Sequence, residues 1–142
     1  MDSSDGIPFF TGLVANNFSQ VGGTWIANGI SLTNCDYINI YYNNVHINST
    51  DALNGRAFYL NGGTNINVKN NIFSNTGGGY AYYISTPATI TSSNYNDLYA
   101  TGVNLAFWNS DYANLTGHQA ASGMDNNSKS VSPLFVSATD LH

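Results

Sequence analysis

The stretch Tyr37–Ile47 reads Tyr-Ile-Asn-Ile-Tyr-Tyr-Asn-Asn-Val-His-Ile, and Thr64–Phe73 repeats it as Thr-Asn-Ile-Asn-Val-Lys-Asn-Asn-Ile-Phe. Weaker copies of the same pattern lie upstream and downstream of this pair. The copies align on four anchor asparagines, which are Asn17, Asn44, Asn71 and Asn94. The steps between these anchors are 27, 27 and 23 residues. A repeat of this length predicts a chain built as a stack of similar units.

Each copy carries the alternation that is typical of short β-strands. Apolar and polar residues alternate in Ile38–Ile40 and again in Ile66–Val68, and turn-forming Gly, Asn, Thr and Asp separate such runs. Three short strands and three turns in about 25 residues form one rung of a β-solenoid. The predicted fold is therefore all-β, a right-handed parallel β-helix of about five short rungs with a short C-terminal helical excursion.

The chain length predicts one domain, and the repeat divides it into rungs. The single parallel β-helix domain covers residues 1–142. Its predicted rungs are residues 7–28, 29–56, 57–80, 81–102 and 103–142, and the last of these includes a capping tail. In that tail Leu115–Ser122 is predicted as a short helix, because Gly123 follows it where a left-handed cap requires glycine.

The anchor asparagines predict a structural ladder along the solenoid. Asparagine tolerates the left-handed conformation of a tight turn. Its amide both donates and accepts, so stacked side chains can bond from rung to rung. The ladder residues predicted in this way are Asn17, Asn44, Asn71 and Asn94. The residues that follow them are predicted to point inward as an apolar column, which consists of Phe18, Val45, Ile72 and Tyr95.

On another sheet, strand alternation also predicts one column of side chains that points into the solenoid and one that points outward. Leu32, Leu60 and Ile84 are expected inside, which places Tyr59 and Tyr83 outside. Phe107 or Trp108 would extend the outer column, and an exposed aromatic row beside amides suits a sugar ring. Tyr59, Tyr83 and Trp108 are therefore the predicted carbohydrate-binding residues. The alternative is that these rings cover one another or face an oligomer partner.

Composition restricts the classes of partner. The chain has eight acidic residues against three basic ones and a net charge of −5. This balance predicts no nucleic-acid partner, since phosphates require lysine and arginine. There is no long apolar run or basic amphipathic helix, so no membrane insertion is predicted. Cys35 is the only cysteine, and the acidic start, Met1–Asp5, shows no signal-peptide pattern.

The segment Gly29–Asp36, followed by Ile38–Ile40, resembles a rung of the right-handed parallel β-helix proteins of the pectate-lyase-like superfamily. The tail, Tyr112–His142, is similar to the C-terminal part of many secreted bacterial β-helix proteins, which usually carry Trp where this chain has His118. The resemblance implies an extracellular or cell-surface location. It also implies several functions, because the family contains polysaccharide lyases, glycoside hydrolases, epimerases and non-catalytic surface proteins. A fold alone does not choose among these.

The resemblance to pectate lyases also implies a candidate active site. Those enzymes use Arg or Lys to abstract the proton next to a uronate carboxylate, with Ca²⁺ neutralising the substrate. Arg56 is the only arginine, Asp51 precedes it by five residues and His46 lies one strand earlier. These three are the catalytic candidates, with Asp36 nearby. The alternative is a loop ion pair between Asp51 and Arg56 beside a solvated His46.

The sequence gives less support to a metal site or to a glycoside hydrolase active site. The three histidines lack ligand spacing, so no metal site and no cofactor are predicted, apart from Ca²⁺ in the case of a lyase. Inverting glycoside hydrolysis needs two carboxylates about 6.5–9.5 Å apart. Asp36 and Asp97 find no acidic residue at the matching positions of neighbouring rungs.

The function predicted from the sequence is a secreted or surface β-helix module that binds carbohydrate or is structural, and is not catalytic alone. The first alternative is a polysaccharide lyase or glycoside hydrolase, or a fragment of one. The second alternative is a self-assembling structural or adhesin unit, because open solenoid ends can pair as a homo-oligomer.

Overall fold

The computed structural model describes residues 5–135 and 137. Strands dominate this part of the chain, with one 3-10 turn at Pro87–Thr89 and one α-helix, α1, at Leu115–Ser122. The strands are β1 (Gly12–Ala15), β2 (Phe18–Val21), β3 (Ala27–Asp36), β4 (Ile38–Tyr41), β5 (Asn44–Ile47), β6 (Gly55–Thr64), β7 (Ile66–Lys69), β8 (Ile72–Asn75), β9 (Tyr80–Ile84), β10 (Ile90–Asn94), β11 (Asp97–Ala100), β12 (Ala106–Trp108) and β13 (Asp111–Tyr112).

Parallel pairing arranges these strands in three sheets along one solenoid. The first sheet has the order β1-β4-β7-β10 and the second β2-β5-β8-β11. The third has the order β3-β6-β9-β12, and β13 pairs with β12 in the antiparallel sense. Every third strand returns to the same sheet, so three consecutive strands complete one turn. The predicted parallel β-solenoid is confirmed, with about four turns instead of about five, because the residues after β12 form β13 and α1.

The interior of the solenoid consists of columns of similar side chains. Leu32 pairs with Leu60, and Leu60 pairs with Ile84, and all three are fully buried, as the alternation predicted. Beside them the Phe58 ring stacks on Tyr82 with a centroid distance of 5.4 Å. Burying each such side chain stabilises the fold by about 1.5–3 kcal/mol.

An asparagine ladder follows the corner between the first and second sheets. Asn43 Nδ2 donates to Asn71 Oδ1 over 2.9 Å, and Asn71 Nδ2 donates to Asn96 Oδ1 over 3.1 Å. At the first turn Asn17 Nδ2 donates to Asn43 Oδ1 over 2.8 Å. Each accepting oxygen also receives the backbone N–H of the residue that donates to it. The ladder therefore has a direction, with every side chain donating toward the C-terminus.

The structure corrects two of the predicted ladder positions. Asn43 and Asn96 carry the bonds that the repeat assigned to Asn44 and Asn94. Asn43 and Asn44 are adjacent, and strand register decides between them, because Phe18 pairs with Asn44 and not with Val45. The Asn94 side chain instead accepts the backbone N–H groups of Tyr95 and Asn127.

The left-handed backbone conformation and the ladder hydrogen bonds belong to two neighbouring residues in each turn. The residue before each ladder asparagine has a φ of 57° to 59°, and these residues are Asn16, Tyr42, Asn70 and Tyr95. Phe18 and Tyr95 consequently face outward, with 58% and 57% of their surface exposed, and Ile72 pairs with Asn44 and is only half-buried. The predicted apolar column was therefore wrong at these three positions and right at Val45. The buried column in this sheet consists of Val45, Phe73 and Leu98.

The two ends of the solenoid differ. At the C-terminal end α1 occupies the predicted residues, begins at the cap residue Asn114 and ends at Gly123, whose φ is 67°. At the N-terminal end β1, β2 and β3 are the last strands of their sheets, and Asp5 forms a parallel bridge with Asp36 of β3. Of the thirteen exposed large hydrophobic residues in the described part of the chain, seven lie in or just before this first turn, namely Ile7, Phe9, Phe10, Leu13, Phe18, Trp25 and Ile26.

Candidate functional site

Three aromatic side chains form a row on the outer face of the third sheet. Strand register aligns Tyr59 with Tyr83 and Tyr83 with Phe107. The Tyr59 and Tyr83 rings lie 5.7 Å apart at an angle of 33°, and the Tyr83 and Phe107 rings lie 4.5 Å apart at 9°. We call these three residues the aromatic row. They stand on consecutive strands of a rigid sheet, so their spacing is fixed by the backbone.

Arg56 places a positive charge on the same row. Its Cζ lies 4.9 Å from the ring centroid of Tyr59 and 4.3 Å from that of Tyr83. A cation over an aromatic ring at this distance contributes about 0.5–1 kcal/mol at an exposed site. Arg56 Nη2 also donates to Asn54 Oδ1 over 3.2 Å, while Nε is buried and has no hydrogen-bond partner among the described residues. One face of the guanidinium thus contacts the Tyr59 and Tyr83 rings, and its Nη2 is fixed by the hydrogen bond to Asn54.

Tyr80 closes one side of the row. Its ring meets Tyr83 edge-on at 5.0 Å, and its hydroxyl donates to Asp111 Oδ1 over 2.9 Å. Burial and the Asp111 carboxylate raise the pKa of Tyr80, so the hydroxyl remains a proton donor at neutral pH. The hydroxyls of Tyr59 and Tyr83, in contrast, make no hydrogen bond to the residues that the structure describes. Two free hydroxyls and a guanidinium therefore lie along one face.

Ring stacking determines which parts of the row a ligand can reach. Tyr83 has Phe107 stacked against it and the Arg56 guanidinium over its ring, so its faces are occupied. The ring edges, the tyrosine hydroxyls and the free side of the guanidinium remain available. This arrangement favours polar and anionic contacts with a ligand over ring-on-ring stacking.

Trp108 is not part of this surface. It follows Phe107 by one residue and therefore points inward, where it pairs with Ile84 and is only 8% exposed. Its ring meets the His118 imidazole of α1 at 5.4 Å. Of the two residues predicted to extend the outer column, Phe107 takes the outer position, and Trp108, a predicted carbohydrate contact, is buried.

Asp51 accepts hydrogen bonds within its own loop, and Asn54 bonds both to its carboxylate and to Arg56. Its Oδ1 accepts the backbone N–H of Asn54 over 2.9 Å and that of Leu53 over 3.1 Å. The hydrogen bonds from Asn54, backbone first, lower the pKa of Asp51. Both residues are described by the structure, and no ion pair within 4.0 Å joins Asp51 to Arg56. The predicted loop ion pair is therefore corrected to a hydrogen-bonded turn beside Arg56.

His46 lies on a different sheet from Arg56. It belongs to β5 in the second sheet and is only 4% exposed, so it is not solvated. Its Nδ1 is 3.3 Å from Ser74 Oγ and its Nε2 is 3.4 Å from Thr76 Oγ1. Phe135 covers it edge-on at 5.4 Å, and burial lowers its pKa. The structure thus does not bring Arg56, Asp51 and His46 together as one catalytic group.

A buried acid, Asp125, lies at the end of the ladder, in the tail where the sequence favours a capping role for it over a catalytic one. Asp125 Oδ1 accepts from Asn96 Nδ2 over 3.1 Å and from Ser128 Oγ over 2.6 Å. Its Oδ2 lies 3.1 Å from His118 Nε2, and both side chains are fully buried. Burial alone would raise the pKa of Asp125, but the hydrogen bonds, led by that from His118, hold it below its usual value. Asp125 thus continues the asparagine ladder beyond Asn96 and into the tail.

Comparisons with protein-family models, with curated proteins and with solved structures found no match to this chain. Within the described residues, no three His, Cys, Asp or Glu side chains form a group that could hold a metal ion. In the same part of the chain no helix is long and apolar enough to cross a membrane.

Proposed function

We propose that this protein is a secreted or cell-surface β-solenoid module that binds acidic carbohydrate through the aromatic row and Arg56, without catalysis of its own. The observation that carries this proposal is the position of the only arginine over two rings of an in-register outer row. The extracellular location and the place in the pectate-lyase-like superfamily rest on the resemblance of Gly29–Asp36 to a rung of that family.

The chemistry of the row favours a uronate over a neutral sugar. A guanidinium presents a planar set of donors that matches a carboxylate. The free hydroxyls of Tyr59 and Tyr83 can exchange hydrogen bonds with sugar hydroxyls, and the outer edge of Phe107 offers apolar contact. The row runs along the solenoid axis with a rise of about 4.8 Å per turn, so it suits an extended chain better than a single small molecule.

Binding fits this surface better than a lyase or hydrolase does. A pectate-lyase-like reaction at Arg56 needs further groups that activate and neutralise the substrate. Asp51 is engaged by its own turn, and His46 lies on the second sheet under Phe135. Neither residue is available beside Arg56 as a second catalytic group, so we propose recognition of the polysaccharide and not its cleavage.

The test is calorimetric titration with oligogalacturonate and with neutral oligosaccharides, with and without calcium. We expect the double variant Tyr59→Ala/Tyr83→Ala to weaken binding at least about tenfold, as the loss of central aromatic contacts commonly does. Arg56→Gln should remove the preference for the acidic ligand. The control, Tyr95→Ala, removes a tyrosine that is 57% exposed outside the row, and it should leave binding unchanged.

Two results would contradict the proposal. The first is no binding to any carbohydrate of the panel, or binding that the control variant weakens as much as the row variants do. The second is the appearance of new reducing ends or of unsaturated uronate absorbance. Either of those products would assign the chain to the lyase and hydrolase alternative and would direct attention to Arg56→Ala.

A further inference from the structure

We propose that the space between the outer face of the second sheet and the tail residues 132–135 binds one uncharged sugar ring. We call this space the tail cleft. It is separate from the aromatic row, which lies on the third sheet, so this inference does not rest on the proposed function. It rests on the shape of the cleft, on the hydroxyl groups around His46 and on the lack of charge in the lining.

Three side chains in register form one wall of the tail cleft. His46 of β5 pairs with Ser74 of β8, and Ser74 pairs with Tyr99 of β11. They point away from the core, because the residue before each of them on its strand is buried inside the solenoid. Neighbouring strands lie about 4.8 Å apart, so this wall extends about 10 Å along the solenoid. A wall of this length suits a single ring better than an extended chain.

The tail forms the opposite wall. The backbone of Lys129 bridges to Asp97, the first residue of β11, and the Val131 N–H donates to Asp97 Oδ1 over 3.1 Å. From this attachment the chain returns across the second sheet, and the Phe135 ring meets the His46 ring edge-on with a centroid distance of 5.4 Å. The tail is thus fixed at the edge of the sheet and reaches over three of its strands.

The tail cleft has the dimensions of a small-molecule site. Its volume is about 340 Å³, near the lower end of the range of about 300–1,000 Å³ for ligand pockets. Pro133 and Phe135 supply apolar surface on the tail side, whereas the sheet side presents hydroxyl groups and His46. A ring with one apolar face and a polar edge matches such a pair of walls, and a sugar ring has this character.

The hydrogen bonds of His46 favour a ligand group that both donates and accepts. His46 Nδ1 lies 3.3 Å from Ser74 Oγ, and Nε2 lies 3.4 Å from Thr76 Oγ1. A neutral imidazole has one N–H and one bare nitrogen, so one of these hydroxyls accepts from the ring and the other donates to it. The exposed Thr76 hydroxyl consequently offers a ligand its proton in one case and its lone pairs in the other. A ligand hydroxyl satisfies both cases.

The lining of the tail cleft carries no charge at neutral pH. Among the described residues that line it there is no Asp, Glu, Lys or Arg. Burial lowers the pKa of His46, so its ring is neutral at this pH. At the attachment of the tail, Asp97 and Lys129 pair with each other, with 3.5 Å between Oδ2 and Nζ. A carboxylate or an ammonium group in the cleft would lose its hydration without gaining a partner, so the site favours a neutral sugar.

The experiment is an NMR titration of the full chain at neutral pH with galactose and glucose. Galacturonate and glucosamine are the matched charged probes. We expect at least one neutral sugar to shift the ring resonances of His46, which are identified by their absence in His46→Gln. The charged counterpart should bind at least about tenfold more weakly at this reporter.

Near-isosteric variants test the hydroxyl groups. Thr76→Val/Tyr99→Phe removes two hydroxyls with little change of shape, so it should fold and should weaken binding at least about tenfold. The matched control, Thr91→Val, makes the same change at an exposed threonine of β10 in the first sheet, and it should leave binding unchanged. Phe135→Ala, a change outside the strands, removes the apolar contact from the tail and should also weaken binding.

The two carbohydrate sites are distinguished by exchanging their variants. Tyr59→Ala/Tyr83→Ala should leave the response of His46 to neutral sugars intact, and Thr76→Val/Tyr99→Phe should leave the binding of oligogalacturonate intact. The inference is overturned if no neutral sugar shifts the His46 resonances, if the charged probes bind equally well, or if Thr91→Val weakens binding as much as the cleft variants do. A response of His46 that disappears in the row variant would also overturn it, because the ligand would then lie on the third sheet.

Discussion

The two ends of this solenoid face the same physical problem and differ in how they meet it. A stack of parallel strands that stops exposes an apolar interior and a row of unpaired backbone groups. At the C-terminal end β13 pairs with β12, and α1 packs against both strands. At the N-terminal end the first turn leaves Phe9, Phe10 and Trp25 exposed. The repeat therefore specifies the stack of turns, whereas the residues outside the repeat specify how the stack ends.

The asparagine ladder shows the same difference at atomic detail. Every ladder side chain donates toward the C-terminus, so the last acceptor needs no onward donor. Asp125 meets that requirement, because a carboxylate only accepts, and its second oxygen receives His118 of α1. At the other end Asn17 still has an acceptor without a donor among the described residues. Asp125 therefore joins helix α1 to the stack of turns, because it contacts both His118 and Asn96.

The largest effect is expected when this link is removed. Asp125→Ala removes the acceptor of the buried His118 Nε2 and of the half-buried Ser128 hydroxyl, and it removes one of the three acceptors of Asn96 Nδ2. Breaking a buried charged contact in this way costs about 3–5 kcal/mol. We expect the free energy of unfolding, measured in urea, to fall by this amount. Detachment of α1 alone would instead appear as a separate early transition. Circular dichroism in the far ultraviolet, which reports the helix, and in the near ultraviolet, which reports aromatic packing, would reveal it.

The matched control is Asp125→Asn. An amide keeps one oxygen in place for Asn96 but removes the negative charge that faces His118. The loss should be clearly smaller than that of Asp125→Ala. Equal losses in the two variants would show that the charge, and not the continuation of the ladder, joins the cap to the stack.

The repeated part of the structure was predictable because each rung constrains the next one. The alternation in β6 and β9 fixed the buried positions of Leu60 and Ile84 and the outer positions of Tyr59 and Tyr83. The helix Leu115–Ser122 followed from the glycine after it. In each case a local rule and the solenoid geometry pointed to the same answer.

The predictions were wrong where the repeat allows the strand register to shift by one residue. Asn43 and Asn44 are chemically identical, so only the pairing of Phe18 with Asn44 decides which one bonds. Phe107 and Trp108 are both aromatic, and a shift of one residue exchanges the inner and outer faces. The position of Arg56 over two rings was invisible for another reason, since it depends on side-chain packing between neighbouring turns.

A second prediction compares the middle of the ladder with its open end. Asn71→Ala removes an acceptor for two donors of Asn43 and leaves the Ile40 carbonyl without its side-chain donor, all in the buried interior. We expect a loss of about 2–4 kcal/mol, since each unsatisfied buried group costs about 1–3 kcal/mol. Asn17→Ala should cost less than about 1 kcal/mol, because Asn17 is exposed and its backbone N–H still reaches Asn43.

Urea unfolding of both variants, under conditions in which the protein is monomeric, measures the difference. Similar losses at the two sites would mean that the open end is covered in solution even without a partner.

The smallest expected effect is the acid sensitivity of the cap. The hydrogen bonds to Asp125 hold its pKa below the unfolded value of about 3.9, so the unfolded chain binds the proton more readily. Its contribution to stability is complete above that value and is lost as the pH falls through the lower pKa of the folded state. Asp125→Asn should therefore show a shallower fall of the unfolding free energy below pH about 4. Burial also lowers the pKa of His46, but that contribution begins to be lost nearer pH about 6.5 and is common to both proteins. Equal acid slopes would show that other carboxylates, such as Asp51 in its turn, dominate the response, and would leave the capped end no more acid-sensitive than the open one.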